Sequence, residues 1–314
     1  MMQIGILGGG ALGLLWGGRL TLAGLAPVLI TRTPEQAELL QNEGLLLWTL
    51  DGRRHDVPVR AEWGGATGST FDLLFVTVKQ FDLDQALPTV QKRTHSSSQI
   101  LFWQNGWGHE EKIARLDGRE WTYAAVTTEG AWKRGKREVI HTGRGEVRIG
   151  RFPAFGRDVV HPFLADFLAY IQEWEKKWET SVLYDDDILQ RMWEKLAVNC
   201  AINPLTALHG IRNGELMDGA YRETVNRVLA EVVETARRVG IGLDPGELLR
   251  KTEEVCRKTA RNKSSMLQDL ERGARTEIAF LNGAVVRLAE EHGLDVPVNR
   301  SLFLRVRARE KEMI

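Results

Sequence analysis

Gly8-Gly9-Gly10-Ala11-Leu12-Gly13 is a G-x-G-x-x-G turn between a short apolar run and a segment with helical spacing. Such a turn can bind a dinucleotide. Gly8 permits the tight bend, Gly10 lets backbone approach a pyrophosphate, and Gly13 allows helix and strand to close, while the helix N-terminus offers free N–H groups and a positive dipole. A glycine-rich turn without a ligand is the plain alternative, but here a strand, a helix and a second strand flank the motif in order. The second strand ends Leu29-Ile30-Thr31-Arg32-Thr33. An NAD enzyme normally carries an acid at that point for the ribose hydroxyls. The Arg32 guanidinium can instead pair with a 2′-phosphate, which favours NADPH over NADH unless Arg32 is only a solvated loop residue.

A second group of chemically capable residues lies in the C-terminal half. Lys195, Asn199 and Asn203 recur every four residues, which stacks one ammonium and two carboxamides along one helix face. Pro204 disfavours continued α geometry at Asn203 and is expected to end or kink the helix there. Leu189, Met192, Leu196 and Cys200 can pack inward, with Cys200 read as a core thiol about a quarter-turn from Asn199. A solvated Lys/Asn face would have the same spacing. Asn262-Lys263-Ser264-Ser265, Arg275-Thr276-Glu277 and Asn282-Gly283 follow. Taken singly, Ser265 with Gln268 could be a capping box and Glu277 an acid favoured by a helix dipole.

The elements that must position these groups follow from periodicity. Residues 3–7 and 27–31 read as strands around a helix over 11–23, and further strands are expected at 72–78, 99–104 and 122–128, separated by segments long enough for crossover helices. Residues 138–141 and 146–150 flank Thr142-Gly143-Arg144-Gly145 and suggest an antiparallel hairpin at the edge of the same sheet. After about Tyr184 the pattern turns helical: Val225, Val228, Leu229, Val232, Ala236 and Val239 keep helical spacing up to Gly240, Asp244-Pro245 looks like an N-cap and first helical position, and a helix over 277–292 ends at Gly293. The expected fold is α/β, an N-terminal Rossmann-type doubly wound sheet over residues 1–183 followed by an all-α domain over 184–314.

Composition agrees with two folded domains in a chain of 314 residues, with 43% hydrophobic and 27% charged residues. Lys+Arg and Asp+Glu both number 42, which disfavours binding to nucleic acid or an anionic membrane surface. Cys200 and Cys256 are too few for a disulfide framework or a zinc cluster, so no metal is expected and a reducing cytoplasm fits. The apolar stretch 4–30 is interrupted by Arg19 and by glycines, as suits a strand-turn-helix better than a signal peptide or membrane span.

With Lys195, Asn199, Asn203, Asn213-Gly214, Asn262-x-x-Ser265 and Glu277 in this order behind the glycine motif, the chain resembles the ketopantoate reductases over nearly its whole length. Lys79 after an apolar strand, Gln104-Asn105-Gly106 after a later one, and Thr127-Thr128 with Ala131 extend the resemblance. It implies an NADPH-dependent reduction of 2-dehydropantoate to pantoate, towards pantothenate and coenzyme A, by a monomer or homodimer that takes a small ketoacid. The family also implies roles. The residue matching Lys195 is the general acid that protonates the ketone oxygen as hydride arrives, a reasonable donor if partial burial lowers its pKa. Glu277 matches a partner of the substrate hydroxyl and cofactor region that also orients the lysine. Asn199, Asn203, Asn213, Asn262 and Ser265 match the substrate-binding set. Asn105 matches a residue between nicotinamide and substrate, and Lys79 and Ala131 match positions lining the cofactor cleft. Trp107 and Glu129 depart from the pattern and have no assigned role. A related reductase of another branched 2-ketoacid, or a non-catalytic NADPH sensor, would use the same features.

Overall fold

The computed structural model describes residues 2–117, 119–152 and 160–312. The chain folds into two compact units, Met1–Gln104 with His109–Ile188, and Asn105–Gly108 with Leu189–Ile314. The first unit begins β1 (Ile4–Leu7), α1 (Ala11–Leu22), β2 (Val28–Thr31) and α2 (Pro34–Glu43), then β3 (Leu45–Trp48), β4 (Arg54–Val57), β5 (Arg60–Trp63), β6 (Leu73–Val76), α3 (Leu83–Arg93) and β7 (Gln99–Phe102). It continues through α4 (Glu110–Ile113), β8 (Thr122–Thr127), β9 (Gly130–Lys133), β10 (Glu138–Gly143), β11 (Gly145–Arg151), α5 (Pro162–Gln172), α6 (Glu175–Trp178) and β12 (Thr180–Tyr184).

The larger sheet has the order β12-β11-β8-β7-β6-β1-β2-β5. From β5 to β8 the strands run parallel, and β11 turns antiparallel to β8. The four-residue strands β1, β2, β6 and β7 are buried throughout, as strands covered on both faces must be. With β1 between β2 and β6, the glycine-rich turn leaves the carboxyl end of β1 where strand order reverses, the usual place for a ligand crevice in such sheets.

A four-stranded sheet, β4-β3-β10-β9, goes beyond what the periodicity predicts. It corrects the expected hairpin: β10 pairs with β3 and β9, whereas β11 pairs with β8 and β12 in the larger sheet. The Thr142–Gly145 stretch therefore carries the chain from one sheet to the other. Two-residue periodicity marks each strand but does not say which neighbour satisfies its backbone.

Helix α1 lies between these sheets. A Cβ at Gly17 would come within 2.7 Å of Leu29 in β2, and one at Gly18 within 2.7 Å of Leu45 in β3, so the two glycines let a sheet close in on each side. Leu14, Leu15, Trp16 and Leu20 are at most 1% exposed. Burial on all sides traps Arg19, and its guanidinium is met by Glu129 Oε1 at 2.6 Å, Trp178 O at 3.1 Å and Thr180 Oγ1 at 3.2 Å. His141 lies against both groups, 3.1 Å from Arg19 and 3.4 Å from Glu129, and the Trp16 and Trp178 rings flank the guanidinium. Glu129 thus acquires a role, as the counter-charge inside the core.

The second unit is helical: α7 (Ile188–His209), α8 (Gly219–Arg238), α9 (Pro245–Lys258), α10 (Ser265–Glu271), α11 (Asn282–Glu291) and α12 (Pro297–Glu312), with Ile188 itself counted in the first unit. Asp244 caps α9 by accepting from Glu247 N–H at 2.5 Å, as its sequence suggests. The helix expected over 277–292 is instead a 3₁₀ turn, Ile278–Phe280, followed by α11. The whole is an α/β fold, a Rossmann-type unit followed by an all-α one, and no helix among the described residues is long and apolar enough to cross a membrane.

Burial opposes ionisation of Glu129, but His141, Arg19 and Thr180 outweigh it and hold the carboxyl at about 2. Because that pKa is depressed, the pair's contribution to stability should be complete above the ordinary carboxylate range and lost only as pH falls towards about 2. Glu129→Gln, which leaves Arg19 buried without a counter-charge, should lower the unfolding free energy by about 3–5 kcal/mol, read from the urea midpoint at unchanged m. Replacing both partners, as in Arg19→Met with Glu129→Leu, should recover much of it.

Candidate functional site

In the first unit the motif glycines shape the turn from β1 into α1. Gly8 has φ +129°, and its N–H donates to Ile30 O at 2.9 Å, tying the turn to β2. A Cβ on Gly13 would sit 1.9 Å from Gly8 O, so the first turn of α1 can approach the strand end only with glycine there. Gly10 is the N-cap of α1, and a Cβ there would meet nothing within 4 Å, so the open backbone at the helix terminus fits a pyrophosphate. Ala11 and Leu12 open the helix behind it.

Arg32 follows β2 with its side chain 77% exposed and 3.5 Å from Asp82, a weak hold. Lys79 precedes the 3₁₀ turn Gln80–Asp82 after β6, and Ala131 lies on β9 opposite His141. Sequence reasoning missed two neighbours of the glycine turn: Gln36 Nε2 and Lys133 Nζ both donate to Gly9 O, at 2.9 and 2.7 Å. Neither belongs to a recognisable motif, and strand β9 brings Lys133 there from more than a hundred residues away.

In the second unit, Lys195 is half-buried on α7, and loss of hydration pulls its pKa down to about 8 although the nearby Glu277 carboxylate favours the charged form. Glu277 is buried just before the 3₁₀ turn, and Asn105 Nδ2 donates to its Oε2 at 3.2 Å. The Asn105 segment is fixed by Trp107 N–H donating to Phe280 O at 2.9 Å and by the Trp107 ring lying 5.3 Å from that of Trp193. An ammonium whose pKa is drawn towards neutrality, near a carboxylate that an amide holds, has the chemistry to donate a proton and to anchor a polar group.

The remaining amides divide into two sets. Asn199 and Asn203 stay on α7, which runs through Pro204 to His209 rather than ending there. Proline cannot supply the N–H that would bond Cys200 O four residues back. Asn282 Nδ2 donates to that carbonyl at 3.0 Å and to Asn299 Oδ1 at 2.9 Å, so a side chain takes the place of the missing amide. Cys200 is wholly buried, and burial pushes its thiol up, as expected of a core residue. Asn213 is tied to its surroundings by its N–H, which donates to Asn262 O at 3.1 Å, and by its Nδ2, which donates to Thr259 Oγ1 at 2.9 Å, while its buried Oδ1 has no partner among the described residues. Ser265 is exposed in the first turn of α10, and Ser264, rather than Ser265, caps that helix through Leu267 N–H at 3.1 Å.

Residues 4–154 match the family model described as ketopantoate reductase PanE/ApbA, and residues 187–310 match that of its C-terminal domain. A 2-dehydropantoate 2-reductase from Vibrio cholerae is 33% identical over 99% of this chain and 98% of its own. The chain belongs to the ketopantoate reductase family. It is therefore an oxidoreductase. Among solved structures, a PanE/ApbA family ketopantoate reductase from Ralstonia eutropha JMP134 shares a TM-score of 0.86 at 29% identity, covering 99% of each chain. A D-mandelate dehydrogenase solved with NADH and anilino(oxo)acetate superimposes at 0.91 over 99% of each chain, and its 24% identity shows the fold alone.

The helix bearing Lys195, Asn199 and Asn203 depends on the Asn282 amide for its continuity past Pro204. Asn282→Leu should cost about 1–3 kcal/mol of stability, the usual range for stranding a buried polar group. Adding Pro204→Ala restores a backbone donor for Cys200 O and should recover part of that loss in a double-mutant cycle; strictly additive costs would show the two residues to be independent.

Proposed function

We propose that this chain reduces 2-dehydropantoate to pantoate with NADPH, a step in pantothenate and coenzyme A biosynthesis. The observation that carries the reading is Lys195, pulled down to about 8 beside Glu277. NADPH, when bound, supplies the hydride that adds to the ketone carbon. As that bond forms, the carbonyl electron pair moves to oxygen, and the Lys195 ammonium stabilises the growing alkoxide and then donates its proton to it. The Glu277 carboxylate favours the protonated lysine and offers an acceptor to a substrate hydroxyl, while Asn105 holds it in orientation. Asn199, Asn203, Asn262 and Ser265 can contact the hydroxyl and carboxylate of the ketoacid, amides being suited to this because each offers both donor and acceptor. Asn213, whose N–H donates to Asn262 O and whose buried Oδ1 has no hydrogen-bond partner among the described residues, is assigned to the same set.

On the cofactor side, the open N-cap at Gly10 suits the pyrophosphate, and Arg32, with no acid beside it in sequence, suits a 2′-phosphate. Lys79 and Ala131 are assigned to the same cofactor. Arg32→Ala should reduce the ratio of kcat/KM for NADPH over NADH, and an unchanged ratio would remove Arg32 from cofactor selection.

The donor must be protonated to act, so kcat/KM should fall as pH rises through the free-enzyme pKa of Lys195, about 8. Lys195→Ala should lower kcat by roughly two to four orders of magnitude and leave NADPH affinity much less affected. A panel of branched ketoacids followed by NADPH absorbance tests the substrate assignment. Near-wild-type turnover by folded Lys195→Ala, or a much higher kcat/KM for another ketoacid, would overturn the corresponding part of the reading.

A further inference from the structure

The turn between β9 and β10 places positive charge against the dinucleotide motif. Lys133, the last residue of β9, donates through Nζ to Gly9 O at 2.7 Å, so its ammonium is fixed at the glycine turn itself. Gln36 Nε2 bridges Gly9 O at 2.9 Å and Lys136 O at 2.7 Å, clamping the β9–β10 turn to the first turn of α2. Arg32 stands just ahead of that helix, one residue before its cap Thr33.

The charges in this corner are unevenly compensated. Arg32 has Asp82 at 3.5 Å, and Lys136 is close enough to Glu35 to favour its ionisation. Lys133 makes no ion pair among the described residues. Burial is the first cause that lowers its pKa, and the neighbouring Arg32 and Lys136 charges lower it further. A half-buried ammonium facing two other cations is destabilised unless an anion joins it, and one of those two cations is Arg32, the residue assigned to the 2′-phosphate.

We propose that Lys133 is a second ligand for the adenosine 2′-phosphate, acting with Arg32 to select NADPH. The inference rests on the NADPH reading above. A 2′-phosphate carries close to two negative charges near neutrality, so a single exposed guanidinium leaves it incompletely matched. Lys133 adds a charge whose position is set by its bond to Gly9, and which therefore loses less side-chain freedom on binding than Arg32 does.

The test is equilibrium binding of NADPH, NADH, 2′,5′-ADP and 5′-AMP to the full chain, comparing wild type with Lys133→Met, Lys133→Arg and Arg32→Ala. Lys133→Met should weaken NADPH and 2′,5′-ADP by roughly ten- to hundredfold, the range for one hydrogen bond to a charged group, and change NADH and 5′-AMP by no more than about twofold. Lys133→Arg should keep most of the preference. Circular dichroism and an unchanged urea midpoint establish that the Lys133→Met protein is folded.

Equal weakening of NADPH and NADH would overturn the proposal, because it would put Lys133 at the pyrophosphate or make it only a brace for Gly9. Unchanged binding of all four ligands would overturn it as well. If wild type does not prefer 2′,5′-ADP to 5′-AMP, the NADPH reading falls first. If that preference exists and only Arg32→Ala diminishes it, the NADPH reading stands and the Lys133 assignment alone is wrong.

Discussion

Burial of α1 between two sheets is the constraint on which the rest of the first unit depends. A helix covered on both sides cannot be amphipathic, which explains why Leu14, Leu15, Trp16 and Leu20 are all enclosed and why glycines occur where Leu29 and Leu45 press in. The same enclosure delivers the N-terminus of α1, with its free amides, to the carboxyl end of β1. It also obliges Arg19 to find a counter-charge. Glu129, from the loop after β8, and His141, from β10, provide the surroundings that make that charge tolerable.

Arg19, Lys195 and Lys133 are cations drawn out of water to different degrees, and the protein handles each in its own way. Arg19 is closely paired, so its charge is structural and chemically silent. Lys195 has a carboxylate near it, yet loss of hydration dominates and leaves the ammonium ready to give up a proton. Lys133 is held by a carbonyl and stands close to other cations. In each case desolvation pushes the same way, and the nearest charges decide whether the group is locked, poised for proton transfer or suited to an incoming anion.

The helical unit shows the same economy with backbone groups. A proline at 204 would normally interrupt a helix, but Asn282 supplies the hydrogen bond that Pro204 cannot, and its own orientation is fixed by Asn299. Asn299 in turn reaches Glu231 on α8 at 2.8 Å. The face that carries Lys195, Asn199 and Asn203 is thus continuous because α8, α11 and α12 contribute to it. The buried Glu310 of α12 likewise accepts from both the backbone and the hydroxyl of Thr276 at 2.7 Å, fixing the chain immediately before Glu277.

The sequence by itself determined much of what depends on near neighbours in the chain. The glycine turn, the strands around it, the Asp244 cap and the four-residue spacing of Lys195, Asn199 and Asn203 were legible because backbone sterics and helical periodicity act over a few residues. The order of the polar residues was enough to mark the family. Contacts over long separations were not legible. The split of β10 and β11 between two sheets, the pairing of Glu129 with Arg19, the rescue of Pro204 by Asn282 and the arrival of Lys133 at Gly9 each depend on which distant backbone or side chain satisfies a group that would otherwise be buried unpaired. Local pattern says that such a group must find a partner, and only the packed chain decides which one it is.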